Sequence, residues 1–503
     1  MNCHKQTYTI LIILTLLDCP LSMAAQSNDA FSQLRQSINK GTTTFNQSRS
    51  GNFNDYRQNL NAQYERITRE KWLDFNVFRG ITAPDKDVKP VTPVRISEDD
   101  AQRDLQDRQI EYNKVTTPIK DENAPNPVAP IKETPDDRPQ YMTFQYLGTR
   151  FQVRSPKCIP LHLNGNSEEA IADGWKEFSN EAYNNLIIDC MKLRKERNLC
   201  DWSYLLMLRS MADNYFGKGT NEAALLTAFI FSQSGYKIRM GMDGNKLTVL
   251  FASRHVLYNQ AYFECDGEKF YPLTSTSSRM KLCAAKFPKE QPLSLWVGKT
   301  PKVDFVGSLG RTLVAERYPE ISVQVSVNKN LLAFYESYPS SEVGGNFMTR
   351  WAMYANTPMD ESVKRGLYPA LKEKVSGLSE KDAMERLLNW VQTAFVYEYD
   401  DKVWGHDRAF FAEETLYYPY CDCEDRSILL SRLVRDLLGL KCILIYYPGH
   451  LAMAVNFREE VKGDYILLNG QRYVVCDPTY IGAPVGLTMP DMDNMTAKVI
   501  LLE

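Results

Sequence analysis

Apolar residues recur at intervals of three and four along several long stretches of the chain, the spacing that forms one face of an α-helix. These stretches are 54–73, Glu168–Arg197, Trp202–Tyr215, Asn221–Gly235, Gly345–Asn356, Met359–Leu371, Glu380–Phe395 and Glu424–Leu438. Glycine stands at the end of two of them, at Gly235 and Gly439. Because glycine readily adopts the left-handed backbone that closes a helix, these positions predict helix C-termini.

Shorter apolar runs bounded by turn residues predict β-strands. They form a pair within Thr143–Val153 around Gly148, then Lys237–Met240, Leu247–Ala252, Ala261–Glu264, Lys269–Tyr271, Lys441–Tyr446, Leu451–Phe457, Asp464–Leu468 and Gln471–Cys476. A further pair, Ser322–Val327 and Leu331–Glu336, is predicted to turn at Asn328-Lys329-Asn330. The mixture of helices and strands indicates the α+β fold class.

Changes in pattern divide the chain into six predicted parts. Nine prolines between Pro84 and Pro139 interrupt any long element, which predicts a semi-rigid linker there. The parts are a signal peptide (1–25), a helical N-terminal segment (26–83), a proline-rich charged linker (84–139), a first domain (140–300), a β connecting segment (301–345) and a second domain (346–503).

The first 25 residues have the features of a secretory signal peptide. His4 and Lys5 precede the apolar run Ile10–Leu17, and small residues at 22–25 suit cleavage. We therefore expect an exported protein, periplasmic or extracellular, with association to the cell surface as an open option, whose mature form has no stable membrane span. The alternatives are a membrane anchor, for which this run falls short of the ~20 residues of a full span, and a lipid attached at Cys19.

Composition narrows the functional class. The chain is 44% hydrophobic and 24% charged, with a formal net charge of −3. These values are typical of a soluble globular protein and give no basic excess for nucleic acid. Of the 11 cysteines, Cys3 and Cys19 lie in the predicted signal peptide. The odd number that remains implies at least one free thiol or an intermolecular bond.

Cys423 is the strongest candidate for covalent chemistry. It lies in Tyr420-Cys421-Asp422-Cys423-Glu424-Asp425, directly before an amphipathic helix. A cysteine at a helix N-terminus is exposed to the positive end of the helix dipole and to free backbone N–H groups. We expect both to lower the pKa of the thiol. The same N–H groups are expected to bind the oxyanion of a tetrahedral intermediate.

A nucleophilic thiol needs a base, and the base needs an orienting group. His450 begins the predicted strand that follows Pro448-Gly449, and Asp477 follows the predicted strand that ends at Cys476. If these strands are neighbours, both side chains lie at strand ends that face the start of the Cys423 helix. This arrangement predicts a Cys423–His450–Asp477 catalytic triad.

The three motifs resemble those of the transglutaminase-like superfamily of papain-type thiol enzymes. Members carry a Gly-Asp-Cys-Glu-Asp signature, a Gly-His and an Asp-Pro-Thr, in this order. The corresponding segments are Cys421-Asp422-Cys423-Glu424-Asp425, Gly449-His450 and Asp477-Pro478-Thr479. The resemblance covers roughly residues 380–485, and Cys421 stands where glycine is usual. It implies a helix carrying the cysteine, packed on an antiparallel sheet carrying the histidine and the aspartate.

Other roles for these residues stay open. Cys421 is a rival nucleophile, although Cys423 matches the signature and adjoins the helix start. A zinc site from Cys421, Cys423, His450 and Cys476 is conceivable, but C-x-C lacks the usual spacing of zinc ligands. Each triad member also has a purely structural interpretation: a buried cysteine, a surface histidine, or an aspartate that begins a turn.

The first domain resembles a degenerate copy of the second. A shift of 204 residues places Leu429 on Leu225, Gly439 on Gly235 and the strand Leu451–Phe457 on Leu247–Ser253, and a shift of 203 places Tyr473 on Phe270. The same alignment puts Gly219, Lys246 and Thr274 opposite Cys423, His450 and Asp477. The first domain is therefore predicted to be an inactive transglutaminase-like fold, unless the likeness of two α-then-β segments is accidental.

The predicted function is that of an exported cysteine peptidase or amidase, which cleaves peptide or isopeptide amides through an acyl-thioester. The expected partner is a peptide, protein or cell-wall peptide substrate, without nucleic acid, and the chemistry requires neither cofactor nor metal. Two alternatives remain. An amine could accept the acyl group, as in a protein-glutamine amine transferase, or the folds could serve a non-catalytic binding or scaffold protein.

Overall fold

The computed structural model describes residues 56–76, 78–81, 90–118, 120, 125–277 and 279–503. The predicted signal peptide (1–25) and residues 26–55 of the predicted helical segment lie outside these residues. Arg57–Glu503 forms one compact unit. The fold is mixed α+β, which confirms the predicted class. No helix of the described residues is long and apolar enough to cross a membrane.

Thirteen helices are named here in chain order. They are α1 (56–70), α2 (Glu98–Ala101), α3 (Glu168–Phe178), α4 (Asn184–Glu196), α5 (Asp201–Phe216), α6 (Asn221–Gln233), α7 (Lys329–Ser337), α8 (Thr349–Asn356), α9 (Glu361–Val375), α10 (Glu380–Thr393), α11 (Asp400–Val403), α12 (Ala412–Tyr417) and α13 (Cys423–Leu433). Side-chain caps start several of them, at Ser167, Thr220, Asp360, Ser379 and Asp422. Gly439 follows α13 and its π-helical extension with φ of +64°, as its predicted role requires.

The strands are short and mostly antiparallel. They are β1 (Trp72–Asn76), β2 (Arg108–Gln109), β3 (Lys114–Thr116), β4 (Tyr141–Tyr146), β5 (Thr149–Arg154), β6 (Ile238–Asp243), β7 (Lys246–Ala252), β8 (Val256–Leu257), β9 (Phe263–Cys265), β10 (Glu268–Pro272), β11 (Arg279–Cys283), β12 (Arg311–Val314), β13 (Ser322–Val325), β14 (Ser341–Glu342), β15 (Val396–Tyr397), β16 (Tyr420–Cys421), β17 (Lys441–Tyr447), β18 (His450–Asn456), β19 (Asp464–Leu468), β20 (Gln471–Val475) and β21 (Lys498–Leu501).

Two large sheets share one strand order. The first sheet runs β1-β11-β6-β7-β10-β9, and the second runs β2-β19-β20-β18-β17-β21-β3. If the outermost strands β1, β2 and β3 are left out, the order β11-β6-β7-β10-β9 in the first sheet corresponds to β21-β17-β18-β20-β19 in the second. Helix α6 contacts β7 in the first, and α13 contacts β18 in the second. Each sheet therefore carries its preceding helix on a central strand.

The pairing register is also the same in both sheets. Lys246 starts β7 and pairs with Asp243, and 204 residues later His450 starts β18 and pairs with Tyr447. Leu250 pairs with Pro272 as Ala454 pairs with Val475, under shifts of 204 and 203. The sequence alignment of the two segments thus matches strand order and register, because the side-chain alternation of a strand allows no slip of one residue.

The segment after β13 differs from its prediction. Leu331–Glu336 was expected to be a strand, but it lies within helix α7. The side chain of Asn328 accepts a hydrogen bond from the N–H of Asn330 and so caps the helix. Leu331, Leu332, Phe334 and Tyr335 are buried, at the spacing of a helical face. The prediction of a hairpin was wrong because Asn favours a helix cap as readily as a turn.

The N-terminal parts also depart from the predicted layout. The helical signal ends at residue 70, and β1 pairs with β11 at the edge of the first sheet. Within the predicted linker, β2 pairs with β19 and β3 with β21. These two strands close both edges of the second sheet. Described parts of 84–139 are therefore built into the fold of the second domain and are not a free spacer.

Candidate active site

Cys423 is the first residue of α13, which starts one residue before the predicted helix start at Glu424. The helix begins there because the carboxylate of Asp422 accepts hydrogen bonds from the N–H groups of Glu424 and Asp425. Asp425 accepts in turn from the N–H of Asp422, which completes a capping box. Cys423 is only 7% exposed. Its thiol is held at a rigid position, because both ends of the cap are fixed.

His450 and Asp477 meet as predicted. The Nε2 atom of His450 lies 2.8 Å from Oδ2 of Asp477, and both side chains are almost completely enclosed. They come together because β18 and β20 are adjacent, so the first residue of one lies near the residue that follows the other. The pair leaves Nδ1 of His450 buried and without a hydrogen-bond partner. Nδ1 is therefore the ring nitrogen that can accept a proton from elsewhere.

The second oxygen of Asp477 fixes the carboxylate itself. Oδ1 accepts from the N–H groups of Thr479, at 2.8 Å, and Tyr480, at 3.3 Å. Gln392 on α10 supports the same loop, since its Nε2 atom donates to the carbonyl oxygens of Asp477, Tyr480 and Ala483. Sequence patterning missed Gln392; a buried amide on the apolar face of a predicted helix was the available signal.

The thiol lies between opposing electrostatic influences. Burial raises the pKa of Cys423 well above its usual value, and the charges of Asp422 and Glu424 raise it further. The backbone N–H of Leu451, next to His450, hydrogen bonds to the sulfur and lowers the pKa. The prediction of a lowered pKa was wrong for this enclosed thiol, because burial is the largest influence on its pKa.

Donors for an oxyanion are fewer than expected. Of the first-turn N–H groups of α13, those of Glu424 and Asp425 are taken by Asp422. The N–H of Cys423 is outside this cap. The hydroxyl of Tyr397 is a further candidate donor, since it is buried and has no hydrogen-bond partner. Tyr397 lies on β15, which pairs with β16 just before the nucleophile, and the charge of Cys423 acts on its phenol and raises its pKa, after burial as the larger cause.

Cys421, the rival nucleophile, is tied to structural partners. Its sulfur accepts a hydrogen bond from Nε of Arg426 at 3.5 Å and lies 3.8 Å from the carbonyl oxygen of Val396. The buried guanidinium of Arg426 also donates to the carbonyl oxygens of Gln392 and Phe395. Burial raises the pKa of Cys421, and the charge of Arg426 opposes the rise. This geometry assigns Cys421 to the scaffold around the site.

Near the site, two sets of described side chains are close enough to share a metal ion, and both consist of carboxylates. Among the described residues these groups are Asp400, Asp407 and Glu424, and Asp422, Glu424 and Asp425. Several of these oxygens already accept hydrogen bonds: Trp351 Nε1 donates to Glu424 at 2.6 Å and the N–H of Arg408 to Asp400 at 2.7 Å. The zinc set with Cys421, Cys423, His450 and Cys476 is not brought together within this part of the chain.

The equivalent positions of the first sheet also come together. Gly219, Lys246 and Thr274 line one pocket, at the places that Cys423, His450 and Asp477 occupy in the second. Thr274 is bonded to Thr248, with 2.8 Å between the hydroxyl oxygens. None of these side chains is a thiol, an imidazole or a carboxylate. The pocket keeps the location of the site without its chemistry.

Known proteins add no identification. No family model, no curated protein and no solved structure matches this chain. The resemblance to the transglutaminase-like superfamily therefore stays a prediction. It is carried by the three motifs and by the geometry of Cys423, His450 and Asp477.

Proposed function

We propose that the protein is a papain-type, transglutaminase-like thiol hydrolase that cleaves peptide or isopeptide amides. The observation that carries this proposal is the enclosed His450–Asp477 pair, with the unpartnered Nδ1 of His450 beside the strand start that contacts Cys423. A purely structural histidine seldom leaves a buried ring nitrogen without a partner, since that costs free energy. A general base requires such a free nitrogen.

The proposed reaction begins with a protonated thiol. His450 Nδ1 takes the proton as the sulfur of Cys423 attacks the amide carbonyl carbon, which forms the C–S bond. The carbonyl oxygen becomes an oxyanion, for which the N–H of Cys423 and the hydroxyl of Tyr397 are the proposed donors. His450 then returns the proton to the amine nitrogen, and the C–N bond breaks. Water, deprotonated by His450, then attacks the thioester carbonyl carbon. The C–S bond breaks, the acid leaves, and His450 returns the proton to the sulfur of Cys423.

Asp477 is proposed to act through His450. By accepting from Nε2, its carboxylate holds the proton on that nitrogen and leaves Nδ1 free as the base. It also stabilises the imidazolium that forms when the thiol is deprotonated. Its own position depends on Thr479, Tyr480 and Gln392. In this proposal the aspartate does not take up the proton itself.

The nature of the acyl acceptor belongs to the proposal as well. Hydrolysis is favoured over amine transfer because transfer needs a dedicated amine site. We propose that export places the enzyme among exported proteins and cell-wall peptides. The pocket of Gly219, Lys246 and Thr274 favours a binding role for the first domain, and this supports a non-catalytic protein as the second candidate.

The decisive experiment compares the wild-type chain with Cys423→Ala and Cys421→Ala. Each is incubated with a peptide library and with cell-wall fragments, and products are identified by mass spectrometry. We expect new carboxyl termini from the wild type and from Cys421→Ala, and an acyl adduct on Cys423 at early times. Equal turnover by Cys423→Ala would exclude this nucleophile, and an adduct on Cys421 would move the assignment by two positions.

A further inference from the structure

An extended segment of the chain, Pro90–Ile96, runs along the loops that build the site. At one end the N–H of Val91 donates to the carbonyl oxygen of Gly449 at 2.9 Å. Gly449 directly precedes His450, and its φ of +79° turns its carbonyl away from the path of an ordinary strand. The segment thus bonds to the backbone next to the proposed base.

The other end of the segment bonds beside the proposed orienting acid. The N–H of Ile96 donates to the carbonyl oxygen of Ile481 at 3.0 Å, and the N–H of Ile481 donates to that of Val94 at 2.8 Å. Ile481 ends the loop that begins at Asp477. These are paired bonds of the kind that a short parallel strand makes.

A hydrogen bond in the middle of the segment connects it to the loop that follows β15. The hydroxyl oxygens of Thr92 and Tyr399 lie 3.0 Å apart. The ring of Tyr399 meets the ring of Tyr397 edge-on, with 5.5 Å between centroids, and Tyr397 pairs with Cys421, two residues before Cys423. The segment is therefore hydrogen-bonded to three loops: that of Gly449 before His450, that of Ile481 after Asp477, and that of Tyr399, which follows β15.

Side chains of the segment alternate between anchored and exposed. Val91 and Ile96 pack against the small cluster of Tyr480, Ala483 and Met489. Thr92, Val94 and Arg95 are exposed. Backbone bonds along an extended chain with pockets for selected side chains are the general way in which a protein holds an extended peptide.

We infer that Pro90–Ile96 occupies the groove in which this site binds its substrate, an extended polypeptide recognised through its backbone. The inference rests on the proposed function and specifies its substrate class. The groove offers the carbonyl oxygen of Gly449 and both backbone groups of Ile481 to a visiting peptide. While the chain's own segment fills the groove, Cys423, His450 and Asp477 are enclosed, and a substrate must displace the segment to reach them.

The test releases the segment in the full-length chain. In the double variant Val91→Asp/Ile96→Asp, two carboxylates replace the anchoring side chains, whereas the control Val94→Asp places the same charge on an exposed position of the same segment. Iodoacetamide labelling at neutral pH is followed by mass spectrometry at each cysteine. We expect at least a tenfold faster alkylation of Cys423 in the double variant, and wild-type rates in the control.

The labelling of other cysteines shows whether faster labelling of Cys423 is caused by unfolding. Cys442 and Cys476 are buried in the core, and their labelling stays slow if the fold is kept. If they react together with Cys423, the milder variant Val91→Ala/Ile96→Ala replaces the first. A synthetic peptide of the sequence Pro-Val-Thr-Pro-Val-Arg-Ile, added to the released variant, is expected to slow the labelling of Cys423 again, and a scrambled peptide is not.

The outcomes separate the two proposals. Equal labelling of Cys423 in the wild type, the double variant and the control, or failure of the peptide to protect, would overturn the groove. Fast labelling and peptide protection without turnover of any library peptide would leave the groove in place and contradict the hydrolase.

Discussion

His450 Nε2 and Asp477 Oδ2 are 2.8 Å apart in a pair that is almost wholly enclosed. An asparagine at position 477 can still accept from the N–H of Thr479, so the loop is expected to fold as before. Its amide nitrogen, however, would face Nε2 and favour the tautomer with the proton on Nδ1. We expect Asp477→Asn to lower kcat by about 10²- to 10⁴-fold.

Steady-state hydrolysis of a peptide identified in the library screen measures this effect. The exposed Asp493 provides a matched control, since Asp493→Asn makes the same change at a carboxylate that is not hydrogen-bonded to the histidine. Full activity of Asp477→Asn would mean that His450 does not depend on the aspartate for its orientation.

Tyr397→Phe separates a catalytic hydroxyl from a structural one. The phenol has no hydrogen-bond partner, so its removal is expected to leave the free energy of unfolding unchanged or slightly increased. If it donates to the oxyanion, kcat falls by roughly 10²-fold with KM almost unchanged. Tyr420→Phe, an exposed position on the adjacent strand β16, is the control. Unchanged kcat would remove Tyr397 from the mechanism.

Gln392 is expected to matter for stability before it matters for chemistry. Gln392→Ala leaves the carbonyl oxygens of Asp477, Tyr480 and Ala483 without their shared donor. A loss of about 1–3 kcal/mol in the free energy of unfolding is expected, because these groups stay buried. Urea denaturation measures it, with the exposed Gln152→Ala as the control. A change below about 0.5 kcal/mol would show that the loop holds without this amide.

The buried acids predict a stability that falls as pH rises. Burial, and then the charge of Glu424, raises the pKa of Asp400 from 3.8 to about 8. Burial raises those of Glu413 and Glu414 to about 7. A carboxyl whose pKa is higher in the folded state stabilises the fold fully below its unfolded pKa, and this contribution is lost as pH rises through the folded value. The window for Asp400 is therefore about pH 4 to 8.

Asp400→Asn tests this window. The amide oxygen can still accept from the N–H of Arg408, while the charge that forms above pH 7 is removed. We expect the wild-type urea midpoint to decrease between pH 6 and pH 9, and a smaller decrease in Asp400→Asn. Asp401→Asn, exposed and adjacent, is expected to follow the wild type. Parallel curves for all three chains would contradict the raised pKa.

Local patterns predicted the elements that carry the site. The start of α13, the first residue of β18 and the turn after β20 follow from an apolar stripe, alternating strands and Asp-Pro, all of which act over a few residues. The meeting of His450 with Asp477 required only that these strands be neighbours. The match of the two sheets followed from spacing alone, because equal loop lengths preserve register.

Long-range packing decided what local patterns missed. The rise in the pKa of Cys423 depends first on burial, which segments distant in sequence bring about. Gln392 and Tyr397 lie outside the three motifs, and their roles depend on groups that only the folded chain brings near them. The strands β2 and β3 lie in a stretch whose prolines indicate a linker, yet the open edges of the second sheet supply them with partners.

Because the two sheets share one register, the first sheet can be compared with the second position by position. Gly219, Lys246 and Thr274 stand on a backbone that matches the one around Cys423, His450 and Asp477, strand for strand. Such a pair is the expected outcome of an internal duplication in which one half kept its reactive groups and the other half lost them. The triple variant Gly219→Cys/Lys246→His/Thr274→Asp would show whether this scaffold alone can support the chemistry. If it cannot, the helix start is what distinguishes an active copy from a silent one. Relative to its sheet, α13 starts two residues earlier than α6.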